Sequence, residues 1–333
     1  MVINVSVGVD VSATKVDVVL RAGNHARPAK VFQQTPSGHQ ALARTLLKAQ
    51  PDRVVLEATG IYYLDLAIVL AEAGLPVSVI NPRSYRHFAE LKLKGSKTDP
   101  IDADLLAEFG QVMAPPLWCP PSAEYQQLRS FGRHINRLVG NRTQAKNRLH
   151  ALQATRTTPR MLVEDEQQAI QQLDERIERL RQAAQALLTA IPTLHTAFRH
   201  FCAATGLAEV SSLSILAELC TLPDSLTSAQ VTRHTGLDVR QHQSGSSVHR
   251  PGRVSKAGNG YLRAALFYPA LSALRHDPNA RAFYQSLVGR GKKKKQAIVA
   301  VMRKYLTGLW ACYRSGEAFD SSRLFNVNAY KNG

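Results

Sequence analysis

The chain has 333 residues, 44% of them apolar, with 42 Lys+Arg against 25 Asp+Glu and a formal net charge of +17. That length supports two or three hydrophobic cores, and no apolar run approaches the ~20 residues of a membrane span. Four dispersed cysteines (Cys119, Cys202, Cys220 and Cys312) lack CxxC spacing, which argues against a zinc module or a disulfide framework. The amino terminus has no basic n-region, so a cytoplasmic protein with no membrane partner is expected.

The positive charge is unevenly spread. Residues 1–114 carry 12 Lys+Arg against 11 Asp+Glu, residues 115–199 carry 12 against 7, and residues 200–333 carry 18 against 7. A near-neutral first section followed by basic ones implies a polyanionic partner, nucleic acid above all.

Buried-strand patterns run Ile3–Val9, Lys15–Leu20, Ala29–Phe32, Arg53–Leu56 and Pro76–Ile80, with a hairpin turn at Arg21–Asn24. Helical periodicity falls at Ser37–Ala49, at Tyr63–Ala73 before Gly74, and from Ile101 to Phe109 or a little beyond. Three successive strands, then helix–strand–helix–strand, predict a mixed sheet with helices on its faces. The stretch Ala114–Pro121 holds four prolines and is the clearest boundary. Beyond it, Leu128, Phe131, Ile135, Leu138, Ala145, Leu149 and Leu152 form one heptad series. A second contains Ile170, Leu173, Ile177, Leu180, Ala184, Leu187 and Ile191, after a break at Thr157–Pro159. Together they predict an antiparallel helical hairpin or coiled coil. The remainder reads as helical at Tyr261–Leu274, Asn279–Val288 and Lys294–Tyr313, with a Gly/Ser-rich basic loop at Gln243–Gly260. The predicted class is therefore α/β plus all-α, divided as 1–114, 115–195 and 196–333.

Four acids stand out. Asp10 and Glu57 end two predicted strands, while Asp99 and Asp102 sit three apart where a helix starts and so share one face. Singly, each has an ordinary reading, such as a turn cap for Asp10 or a helix cap for Asp99. Jointly they suit a hard divalent cation such as Mg²⁺ and phosphodiester chemistry. Asp104 points about 160° away from Asp102 on an ideal helix and is left out.

The basic loop places Ser244, Ser246 and Ser247 near Arg250, Arg253 and Lys256. Glycine lets backbone N–H groups approach a phosphate, arginine grips it, and an activated serine could attack phosphorus. On residue types alone, a phosphate-binding loop with no covalent role reads better, and no one serine is singled out. Further candidates for phosphate contact are the stripe Arg129, Arg133, Arg137, Arg142, Lys146 and Arg148, and the run Lys292, Lys293, Lys294 and Lys295.

Four ordered blocks, Val9–Ser12, Leu56–Gly60, Val79–Pro82 and Lys97–Ala103, together with Ser244–Ser247, Ser255–Gly258 and Leu262–Leu266, resemble the DEDD insertion-sequence transposases. The resemblance covers nearly the whole chain. It implies an RuvC-like (ribonuclease H fold) domain, a coiled coil and a second transposase domain. It also implies a recombinase guided by a bridge RNA that pairs with target and donor DNA. In that family the acids matching Asp10, Glu57, Asp99 and Asp102 bind Mg²⁺, and the serine matching Ser244 forms a phosphoserine link to DNA. Members act as tetramers assembled from dimers, with the two halves of the site meeting between subunits. One departure is that Ile191–Leu194 lacks the glycines of the family's proline–glycine–isoleucine–glycine turn.

The nearest rival is an RuvC-type hydrolytic nuclease, such as a junction resolvase, in which water attacks. It leaves the basic C-terminal 200 residues without a purpose. An actin-like ATPase shares the first strand-turn but needs glycine-rich phosphate loops that the first section lacks. A non-catalytic nucleic-acid scaffold leaves the acid pattern unexplained.

Overall fold

The computed structural model describes residues 5–58, 60–92, 98–244 and 248–325, with backbone alone at 242–244 and 248–251. The chain divides into two compact units, 1–120 and 121–333. The first contains β1 (Val5–Val11), β2 (Lys15–Ala22), β3 (His25–Ala26), β4 (Lys30–Gln33), α1 (Pro36–Ala49), β5 (Arg53–Glu57), α2 (Tyr63–Glu72), β6 (Val77–Ile80), α3 (Pro82–Leu91) and α4 (Asp99–Met113). Strand order is β3-β2-β1-β5-β6, with β4 also paired to β2. β2 is antiparallel to β1 and β4, whereas β5 is parallel to β1 and β6. An antiparallel meander continued by parallel strands is the expected RuvC-like arrangement.

Strand alternation sorts side chains onto two faces. Val7, Val9, Val16, Val18, Val54 and Leu56 pack with Leu42, Leu46, Leu66 and Leu70 of α1 and α2. On the other face Val55 and Ile80 meet Tyr85 and Phe88 of α3 and Leu105, Leu106 and Phe109 of α4. Gly8 allows α4 to lie close to β1. A Cβ at position 8 would stand 1.9 Å from the Ala103 carbonyl oxygen and 2.3 Å from the Ala107 nitrogen. Asp10 is two residues on and shares that face. The close approach at Gly8 therefore carries the first turn of α4 toward Asp10.

Four details differ from the sequence reading. β1 continues through Asp10 to Val11, and α4 begins at Asp99 rather than Ile101. α3 was not predicted, although Asn81 accepts from the Arg83 amide at 2.8 Å and Pro82 fills the first turn. The proline-rich stretch belongs largely to the first unit: the Trp118 amide donates to the Val77 carbonyl at 2.7 Å, and the Ser78 hydroxyl donates to the Pro115 carbonyl at 3.1 Å.

The second unit opens with the predicted hairpin, α5 (Ala123–Gln153) and α6 (Arg160–Ala190). Its antiparallel register shows in the pairs Arg142–Asp174 and Arg148–Glu166, each at 2.6 Å. There follow α7 (Pro192–Ala203), α8 (Glu209–Leu219), α9 (Ser228–Thr235), β7 (Val239–Ser244), β8 (Val248–Val254), α10 (Gly260–His276), α11 (Pro278–Gly289), α12 (Lys294–Ser315) and α13 (Ser321–Leu324). The root of α5 is part of the helical core: Leu128, Ile135 and Leu138 share a cluster with Leu216, Leu266, Tyr305 and Trp310. Gly132 permits this, since a Cβ there would meet the Ala217 Cβ at 2.9 Å. The segment read as a loop supplies β8 and the end of β7, which form a two-stranded antiparallel ribbon whose last pair is Ser244 opposite Val248. Among the described residues no helix is long and apolar enough to cross a membrane.

Candidate active site and nucleic-acid interface

Asp10 lies near the end of β1, on the sheet face covered by α4. Burial, followed by the charges of Asp102, Asp99, Asp17 and Glu57, lifts its pKa from 3.8 to about 6. The four acids chosen from the sequence are therefore electrostatic neighbours. A fifth was not foreseen. Asp17 stands opposite Asp10 in the β1–β2 pair and is only 3% exposed.

Two further side chains organise the acids. Lys15 places its Nζ 2.7 Å from Asp99 and 3.1 Å from Asp17. Its bonds to Asp99 and then Asp17 hold its pKa above the usual lysine value. Tyr85 donates its hydroxyl to Asp102 Oδ1 at 2.7 Å, and burial together with that acceptor pushes the phenol's pKa upward. Asp104 pairs with Arg21 at 2.5 Å, which gives it a separate structural partner.

Five carboxylates form an all-oxygen donor set, the kind that binds hard divalent cations. Among the described residues, no three acids converge closely enough to hold one ion as they stand. Asp99 is engaged by Lys15 and Asp102 by Tyr85. The donors fit in kind, but Asp99 and Asp102 would have to leave those partners to close around a cation.

In the second unit, Ser244 is the last residue of β7, while Ser246 and Ser247 lie outside the described residues. Of Arg250 only the backbone is described; Arg253 and Lys256 are exposed. The root of the ribbon is tightly held. The Ser255 amide donates to the Asp238 carbonyl at 2.9 Å, and the Lys256 amide donates to the Gly236 carbonyl at 3.0 Å. Lys256 adopts a left-handed φ of 51°, unusual for a side chain of that kind. A Cβ at Gly258 would fall 2.2 Å from the His234 carbonyl oxygen, so only glycine fits there.

The basic candidates separate once their partners are seen. Glu218 is 3% exposed and accepts from Arg133 at 2.6 and 2.9 Å and from Asn259 Nδ2 at 2.6 Å. The Arg133 guanidinium also lies 4.5 Å from the Tyr261 ring centroid. The Arg133 guanidinium is thus engaged by a buried carboxylate, with its side chain 39% exposed. Arg129 reaches Thr221 at 3.4 Å. Lys146 is exposed, as are Lys292, Lys293, Lys294 and Lys295 at the start of α12.

An acid-rich sheet face in one unit and a basic helical unit carrying a serine-bearing ribbon suit phosphodiester chemistry on nucleic acid. Residues 7–159 match the DEDD transposase model of the IS110 group, and residues 198–285 match the model described as "Transposase IS116/IS110/IS902 family". The chain belongs to the IS110 family of DEDD transposases. It is 28% identical to the "Pilin gene-inverting protein" of Moraxella bovis over 80% of this chain and 81% of that one. It is 27% identical to a "Probable family 20 transposase" of Pseudomonas aeruginosa over 84% of this chain and 93% of that one. The solved structure "T. thermophilus RuvC in complex with Holliday junction substrate" is 20% identical, covering 34% of this chain and 98% of that one, with a TM-score of 0.27.

Proposed function

We propose that this transposase is an RNA-guided DNA recombinase that joins target and donor DNA through a serine-linked intermediate. The observation that carries the reading is geometric: Asp17 stands directly opposite Asp10 on the sheet face covered by α4, and Lys15 ties Asp17 to Asp99 on that helix, whose next acid is Asp102. Clustered carboxylates with perturbed titration are characteristic of functional sites. Asp10, Glu57, Asp99 and Asp102 would hold Mg²⁺, with Asp17 behind them. When bound, the ion polarises the scissile phosphate and stabilises its added charge.

Ser244 is the proposed nucleophile. Its Oγ–P bond forms as the P–O bond to one deoxyribose oxygen breaks; the serine loses its proton and the departing hydroxyl gains one. The ester conserves the phosphodiester energy, so a second strand's hydroxyl reverses the step on phosphorus without ATP. Arg253 and Lys256 flank the root of the ribbon and would balance the anionic transition state. The functional parts are 1–114 for the acids, 115–195 for the helical hairpin and 196–333 for the serine ribbon. Partners are target and donor DNA, a structured bridge RNA and further copies of the chain, as dimers and then a tetramer on DNA.

The test is a supercoiled plasmid bearing the chain's own element, incubated with the full-length protein, RNA transcribed from that element, a target DNA and Mg²⁺, and then denatured. A protein–DNA adduct lost in Ser244→Ala is expected. Free 5′-phosphate or 3′-hydroxyl ends with no adduct would instead favour the hydrolytic, junction-resolvase-like reading.

A further inference from the structure

We infer that Lys15 is a positioning residue of the acid site: tethered by Asp17, its ammonium holds the Asp99 carboxylate and competes with a divalent cation for it. The inference rests on the metal-dependent reading of the acids.

The two carboxylates that Lys15 bridges differ in kind. Asp17 has a side chain only 4% exposed, so as a carboxylate it needs a nearby positive charge. Lys15 is two residues earlier on β2 and supplies that charge from the same face. Asp99 has a side chain 47% exposed and sits in the first turn of α4, where the helix dipole favours a negative group. It keeps favourable surroundings if the lysine lets go. Lys15 is itself 41% exposed in its side chain, so its ammonium has solvent to move into. One salt bridge is thus anchored and the other is poised to open.

The energetic consequence follows from charge. An ammonium 2.7 Å from Asp99 already neutralises part of the field a cation would bind. A cation drawing Asp99 toward Asp10, Glu57 and Asp102 must first separate that pair. Lys15 therefore stabilises the cation-free protein and weakens cation binding, whereas a purely structural tie between β2 and α4 would do only the first.

The experiment titrates Mn²⁺ into the full chain without nucleic acid, read by calorimetry and by the EPR signal of free Mn²⁺. Melting is measured in EDTA and in saturating Mn²⁺. Lys15→Met should bind Mn²⁺ at least fivefold more tightly than wild type and melt lower in EDTA, with the difference narrowing in Mn²⁺. Lys15→Arg, which keeps the charge, should behave as wild type. If Lys15→Met does not fold, Lys15→Gln, whose amide can still bond Asp17, is held to the same affinity criterion. Binding in the neutral variant that is no tighter than wild type overturns the role of the lysine alone. A wild type with no Mn²⁺ binding that Asp10→Asn removes overturns the acid-site reading as well.

Discussion

Asp10 on β1 is the direct cross-strand partner of Asp17 on β2. Like charges so placed repel; both lie on the face packed by α4, Asp17 buried and Asp10 partly exposed. The register of one antiparallel pair thus builds part of the site's field before Glu57, Asp99 and Asp102 add theirs. The fold tolerates this because Lys15 bridges two of the acids and Tyr85 donates to a third.

Replacing Asp10 by asparagine should stabilise the cation-free protein at neutral pH while abolishing DNA cleavage. Its folded pKa of about 6 exceeds the ordinary 3.8, so the native state binds this proton more firmly than the unfolded chain. Stability from this group is therefore greatest at low pH and is lost as pH rises through about 4 to 6. A two-unit shift corresponds to nearly 3 kcal/mol. Partial exposure of the carboxyl reduces the expected gain to about 1–2 kcal/mol. Melting in EDTA from pH 5 to 7.5 is the measurement: wild type should fall relative to Asp10→Asn, with the largest gap at pH 7.5. Equal melting temperatures there would contradict the burial and crowding that raise the Asp10 pKa.

Arg133 and Lys146 occupy the same helix and should behave oppositely. Arg133→Ala leaves Glu218 buried without its two-pronged partner and should cost about 2–4 kcal/mol in urea unfolding, below the full cost of a broken buried pair because Arg133 is partly exposed. The salt dependence of DNA binding should not change. Lys146→Ala should leave stability within about 0.5 kcal/mol. It should lower the slope of log K against log salt by about 0.9 if that side chain meets a phosphate. Fluorescence anisotropy at several salt concentrations separates the two.

Much of the first unit was legible because its strands are short valine-rich stretches bounded by polar or turn residues, and because Asp99 and Asp102 share a helical face by spacing alone. Asp17 and Lys15 were not, since their proximity to Asp10 and Asp99 arises from a strand register and a helix contact that only the folded chain establishes. The β7–β8 ribbon was hidden by its Gly, Ser and Pro content, which carries turn signals and no apolar alternation. Arg133 illustrates a general ambiguity. A basic stripe looks the same whether its partner is a phosphate or, as here, a glutamate 85 residues away. Gly8 looked like any glycine in a strand until the Ala103 carbonyl was found where its side chain would be.

The lysines at the start of α12 give the last prediction. α12 has Lys293 as its N-cap and no acid in its first turn, so several like charges face the positive end of the helix dipole. That arrangement opposes folding and favours an anion at the same place. Lys294→Gln with Lys295→Gln should therefore raise the melting temperature at low salt, an advantage that fades as salt screens the charges. The same pair should weaken nucleic-acid binding and reduce the salt slope by up to about 1.8, which is about 0.9 for each phosphate no longer neutralised. Stability and affinity moving in opposite directions identify lysines placed for a phosphate. If both fell together, these side chains would be supporting the helix instead, and the anion would have to bind elsewhere.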